Sequence, residues 1–418
     1  MVLPDSLEKR PSDELRNPVF RLNNIYCTAW RNNKLFRPVV LLWVFVPTAL
    51  ALSFSRQDLI RWEFGLSYIA MIPCASTLSF TGQELARRLP RVLGIVLETL
   101  LSTIVEMILF ITLIARPSTE RAVTVIKAAI LGSILANMLL ALGLCLLLGG
   151  WMYKEQSFHG LVGGTSSDVL LGSGFALLLP AVFFSALYSS ATSLDTNYSM
   201  AKLNYDTISF SRGVSIILMV SFGVYMYHNV STHATLFDRV LASEEDTDET
   251  EHKLTLVECL VIATISLGCV CALAYILVRT IHPIVQASSI SENFMGLIIV
   301  PLVEKLSEHV TAVRKATKDQ PNMAIFKCIS PSIQTALFNA PLVVVIGWCL
   351  DKDMNLNFET FQIVVVILAI LVVINFLGDG SSNYLKGYIL VIVYLAIAVG
   401  AWYYPSITVQ SSTDDQHG

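Results

Sequence analysis

The sequence predicts an all-α polytopic membrane protein, and three observations predict it. Of its 418 residues 54% are hydrophobic and only 14% charged, too few solvating groups for the surface of a water-soluble globule. The apolar residues gather in runs of roughly 20, the length that crosses a hydrocarbon core. An acidic stretch, Ser243 to Glu251, cannot enter lipid and divides the chain in two. In a bilayer the backbone must satisfy its own hydrogen bonds, so each run is expected to be a helix.

Taken in order, residues 1–35 form a polar arm with charges and prolines and no apolar core of a cleavable signal. The first half, 36–228, holds runs near Phe36–Phe54, Phe64–Thr81, Val92–Ala115, Ala122–Leu148 and Ser167–Ser189, and a weaker sixth at Ile208–Tyr227. The acidic linker follows at 229–253. The second half, 254–405, holds runs near Leu254–Val278, Ile284–Val313, Met323–Cys349, Phe358–Leu377 and Leu385–Tyr404, before a tail at 406–418. About eleven transmembrane helices result.

Charge placement gives an orientation. Lys9, Arg10, Arg16, Arg21, Arg31, Lys34 and Arg37 lie ahead of the first run, and Arg87, Arg88, Arg91, Arg314, Lys315 and Lys318 lie in alternate loops. Those sides are expected to be cytosolic, the amino terminus among them. The carboxyl-terminal tail, which has no Lys or Arg after Lys386, then falls on the far side, as an odd number of passes requires. The net charge of −4 is small and spread over loops, so the overall balance implies neither nucleic-acid binding nor a strongly acidic substrate, and no nucleic-acid partner is expected. The eight cysteines mostly sit inside apolar runs, where a thiol acts as a small hydrophobe. No nucleophile–base arrangement, phosphate loop or metal-ligand spacing points to an enzyme or a resident cofactor.

Ionisable residues within membrane helices cost about 2.5 to 3.5 kcal/mol each and so mark function. They cluster in two runs. The third carries Glu98 and Glu106, and the eighth carries Glu304, Lys305, Glu308 and His309. Glu98, Ser102 and Glu106 are four residues apart and drift about 40° per step, so they share a helical stripe, as do Glu304 and Glu308. One carboxylate from each half, meeting near the midplane of two inverted-topology repeats, is a common way to build a cation site, with oxygen ligands suited to a hard ion. The same carboxylates accept protons when the ion leaves.

Several segments carry a resemblance. In the first half these are Gly-Gln-Glu-Leu-Ala-Arg-Arg-Leu-Pro-Arg-Val-Leu-Gly from Gly82, the run Ile130–Gly150, and Glu155–Phe158. In the second they are Ser291–Val303, Glu308–Val313, Ser332–Phe338 and Asp379–Gly387. In this order they resemble the vacuolar calcium (cation)/proton exchangers of the calcium/cation antiporter superfamily. The resemblance implies exchange of Ca2+ or a related cation for lumenal protons across a vacuole-like membrane, with the bilayer, the cation and protons as partners. It also implies two ion-site motifs reading Gly-Asn-Ala-x-Glu. Here these read Ser102-Thr103-Ile104-Val105-Glu106 and Glu304-Lys305-Leu306-Ser307-Glu308.

The ion and proton ligands implied are Glu106 and Glu308, with Ser102, Thr103, Ser332 and Gln334 around them; Lys305, Glu304 and Glu98 modulate the site. Both motif glutamates are kept, and both glycines and asparagines are replaced. Further departures stand at Gly164, Asp168 and Lys386. Lys305 is the sharpest, since its ammonium can compete with a cation for the carboxylates. Three readings are open on sequence grounds: a Ca2+/proton antiporter, a monovalent cation/proton exchanger, and a transport-dead membrane partner or regulator.

Overall fold

In a computed structural model the described residues are 42–55, 59–89, 91–116, 119–193, 200–229, 254–288 and 290–404. The amino-terminal arm, most of the acidic linker, the carboxyl-terminal tail and the start of the first run lie outside them. The described residues are helical almost throughout. Helix α1 (Phe45–Ser55) precedes α2 (Ile60–Ala86) and α3 (Arg91–Ile114). The next pass is α4 (Thr119–Leu135) continued by α5 (Leu142–Tyr153) through a π-helical turn at Ala136–Ala141. Helices α6 (Gly160–Ser193) and α7 (Met200–Tyr227) complete the first half.

The second half opens with α8 (Leu256–Ser288). A short α9 (Glu292–Phe294) and a π turn (Met295–Ile299) lead into α10 (Val300–Ala316). Then α11 (Pro321–Gln334) passes through a π turn at Thr335–Asn339 into α12 (Ala340–Cys349), followed by α13 (Thr360–Gly378) and α14 (Tyr384–Tyr403). Among the described residues eight helical segments are long and apolar enough to cross a membrane. The Val300–Ala316 helix is not one of them, since it carries Glu304, Lys305, Glu308, Arg314 and Lys315.

Two expected boundaries move. The run at Ile284–Val313 is divided: α8 continues through Pro283 to Ser288, and a new helix starts at Glu292. Ser291 makes that start, its hydroxyl accepting the Phe294 N–H at 3.0 Å, one of the free donors of a helix's first turn. The weak sixth run is a full helix of 28 residues, begun eight residues early by a polar turn that includes Lys202 and Asp206.

The passes at Ala122–Tyr153 and Pro321–Cys349 are the most enclosed, and the five at Ser166–Ser189, Met200–Tyr227, Leu256–Ala287, Thr360–Gly378 and Tyr384–Tyr403 turn most of their surface outward. That outer surface is apolar: Phe175, Leu179, Ile217, Val220, Leu368 and Val399 are all exposed, as suits a belt facing lipid.

Polar contacts tie the turns together at the two ends. At one end β1 (Glu155–Ser157) pairs antiparallel with β2 (Ser381–Asn383). There Gln156 Nε2 donates to the Ala316 carbonyl (3.1 Å) and to Asp319 Oδ1 (3.0 Å), and Arg88 donates to the Leu254 carbonyl. At the other end Ser291 donates to the Ala401 carbonyl, Asn293 to Glu359, and Lys127 to Asn355 and the Asn357 carbonyl. Burial pushes the Glu359 carboxyl up from its ordinary range, and Asn293 and Lys127 oppose that shift.

Because the Gln156 side chain is 3% exposed and satisfies two partners on the α10–α11 turn, Gln156→Ala is expected to lower stability by about 1 to 3 kcal/mol. A lower thermal unfolding midpoint of the purified protein in detergent checks it. Lys386, one of the departures, serves the same end: its ammonium meets Asp379 Oδ2 at 2.6 Å and the carbonyls of Phe376 and Ser381.

Candidate functional site

The cluster is built from both halves. A small cavity is lined by Ala75 and Ser79 of α2, by Leu101, Val105 and Glu106 of α3, and by Glu304, Lys305, Ser307 and Glu308 of α10. Three carboxylates and one ammonium thus share one space. Glu106, Glu304 and Lys305 are 5% exposed or less, and the Glu308 side chain is 20% exposed.

The Lys305 ammonium turns inward. Its Nζ lies 3.2 Å from Glu106 Oε2 and 4.0 Å from Glu308 Oε2. Glu106 Oε2 also accepts the Asn339 Nδ2 proton at 2.9 Å. Glu304 is different: both its oxygens are buried and neither has a hydrogen-bond partner, although Glu106, Lys305 and Glu308 all lie within electrostatic range. An unpaired charge in such a place is costly. Next to Glu308, His309 Nε2 is 2.9 Å from Asn137 Oδ1; the amide oxygen only accepts, so the imidazole donates.

Both asparagines stand in π turns, Asn137 in Ala136–Ala141 and Asn339 in Thr335–Asn339. A π turn leaves the regular i to i−4 ladder and recurs at functional sites. Here each one presents a neutral amide to the charged helices α3 and α10.

The residues expected at the site are distributed as follows. Glu106, Glu304, Lys305 and Glu308 are brought together. Thr103 is buried, with its hydroxyl donating to the Leu100 carbonyl. Glu98 is exposed and does not line the cavity, so the four-residue stripe does not carry it inward. The Ser102 side chain is outside the described set. Ser332 is buried and donates to the Cys328 carbonyl of its own helix, and neither it nor Gln334 lines the cavity. Asn339, one residue past the Ser332–Phe338 segment, is the neutral group bonded to Glu106 and was not anticipated. An asparagine amide inside an otherwise apolar run is the signal that finds it, and Asn137 shares that signal. Asn339→Leu is expected to leave Glu106 with Lys305 alone on its Oε2 and to weaken divalent-ion binding roughly tenfold. The ion dependence of the unfolding midpoint measures it.

Among the described residues no three His, Cys, Asp or Glu side chains are grouped closely enough to hold a metal ion. At this site the Lys305 ammonium stands between the carboxylates.

The sodium/calcium exchanger protein family model matches residues 61–231 and 259–403, three quarters of the chain. The chain belongs to this family. Among its relatives, the vacuolar cation/proton exchanger 5 of Arabidopsis thaliana is 30% identical over 365 residues, covering 86% of this chain and 79% of the relative. The vacuolar calcium ion transporter of Schizosaccharomyces pombe is 29% identical, with 87% and 84% covered. The Ca2+/H+ antiporter of Synechocystis sp. is 29% identical, with 88% and 98% covered. The native YfkE structure matches with a TM-score of 0.71 at 23% identity, covering 87% of this chain and 99% of that one. At that identity it speaks for the fold, which is that of this exchanger family.

Proposed function

We propose that this chain is a secondary antiporter that moves Ca2+ from the cytosol into a vacuole-like lumen in exchange for protons. The observation that carries the reading is the set of three carboxylates, Glu106, Glu304 and Glu308, around one buried cavity between α3 and α10. Carboxylate oxygens suit a hard divalent ion and are also proton acceptors. The relatives, named as calcium transporters and cation/proton exchangers, point to the same cargo.

The architecture that goes with this reading is eleven passes in two inverted repeats, with α1 ahead of two sets of five. An odd set inverts its successor. The two sets correspond in detail: Glu106 and Glu308 fall on the second pass of each, and a π turn interrupts the third pass of each. The cationic turns holding Arg87, Arg88, Arg314, Lys315 and Lys318 then face the cytosol, with the arm 1–35 and linker 229–253. The halves 36–228 and 254–405 are joined by that linker, and the tail 406–418 is lumenal.

The test is reconstitution. In vesicles holding an acid interior, the purified chain is expected to accumulate Ca2+ and to lose that accumulation when the pH gradient is dissipated. Vesicles that show no gradient-driven Ca2+ uptake would refute the proposal.

A further inference from the structure

Charge and pairing within the cavity separate its three carboxylates. Glu106 is engaged: Lys305 lies 3.2 Å from Oε2 and Asn339 donates to that same oxygen. Glu308 is the most open of the three and stands at the long edge of ion-pair range from Lys305. Glu304 is 5% exposed and neither oxygen is bonded, yet it lines the cavity beside the other two. Helix packing gives no partner for it, and a carboxylate in that position is held for something that comes and goes.

With all four groups ionised the cavity has a formal charge of −2. Lys305 cancels one carboxylate, and Glu304 restores it. We propose that Glu304 is the second exchanging carboxylate of the site. Glu106 and Lys305 form a standing neutral pair, a divalent cation is balanced by Glu304 and Glu308, and each of these two takes one proton when the cation leaves. The site is neutral in both states, with one divalent ion exchanged for two protons. Lys305 is then a positioning residue that withdraws Glu106 from exchange. It does not block the site.

This rests on the exchange reading above, and the experiment separates the two. Wild type, Glu304→Gln and Glu304→Gln/Lys305→Gln are compared in two readouts: the Ca2+-induced rise in unfolding midpoint in detergent, and gradient-driven Ca2+ uptake in vesicles. Glu304→Gln leaves one free carboxylate and is expected to lose Ca2+ affinity roughly a hundredfold, with uptake falling to background. Removing Lys305 as well frees Glu106 and is expected to restore both readouts to within about tenfold of wild type. Rescue is a result that a merely structural role for Glu304 does not give.

The assignment is overturned by a Glu304→Gln chain that behaves as wild type, or by a double variant as inactive as the single one. Wild type that is stabilised by Ca2+ but takes up none sinks the exchange reading, while the binding readout still decides the role of Glu304. Wild type that shows neither overturns both.

Discussion

Glu308→Gln is expected to abolish gradient-driven Ca2+ uptake while leaving the fold intact. Glu308 is the most accessible acid of the cluster, with its side chain 20% exposed, and its nearest charged partner, Lys305, is 4.0 Å away. The amide keeps the shape and removes the charge. Two unit charges about 4 Å apart at an effective dielectric near 20 are worth on the order of 4 kcal/mol, and a divalent ion doubles that interaction. A fall in Ca2+ affinity of roughly a thousandfold or more follows. The fold is spared because the amide keeps the side chain's shape and Lys305 keeps its closer partner, Glu106, at 3.2 Å. A Glu308→Gln protein with an unchanged unfolding midpoint, no Ca2+-induced stabilisation and no uptake is the expected result. Uptake at the wild-type rate would mean that the ion is carried elsewhere.

The acids of this site are legible in the sequence because a buried charge within an apolar run has no cheap structural explanation. That argument reaches Glu106, Glu304 and Glu308, and the cavity holds all three. It overreaches at Glu98, since a four-residue step fixes a helical stripe but not how deep each member lies, and Glu98 is exposed. The direction of Lys305 is not legible, because its long side chain reaches either a carboxylate or the surface from the same backbone position. The asparagines are hidden for another reason. Counting faces at 3.6 residues per turn assumes an unbroken α-helix, and the turns at Ala136–Ala141 and Thr335–Asn339 are wider, which rotates the residues that follow. Asn339, not Ser332 or Gln334, meets Glu106. The start of the charged helix was readable: Ser291 followed by Glu292 is a helix-start signal, outweighed by the apolar length around it.

Gly132→Val is expected to unfold or severely destabilise the protein. A Cβ on Gly132 of α4 would lie 2.1 Å from the Leu297 carbonyl oxygen, and one on Gly296 would lie 2.6 Å from the Val125 carbonyl oxygen. The two glycines therefore let α4 and the π turn at Met295–Ile299 cross backbone against backbone, the close approach that small residues permit between membrane helices. The obstructing atoms are main chain, so no side-chain rotation relieves the clash, and the cost exceeds the ~1 to 3 kcal/mol typical of overpacking. The consequence reaches the site. Helix α10 begins at Val300, three residues beyond the contact, and Glu304, Lys305 and Glu308 ride on it. Pushing Leu297 away moves all three relative to Glu106 on α3. The control is Gly213→Ala in α7, where an added Cβ meets nothing within 4 Å; it is expected to fold as wild type or slightly better, since alanine is the stronger helix former by about 1 kcal/mol. Yield, unfolding midpoint and Ca2+-induced stabilisation measured on both variants check this. A Gly132→Val protein as stable as Gly213→Ala would show that the two helices do not meet at Gly132.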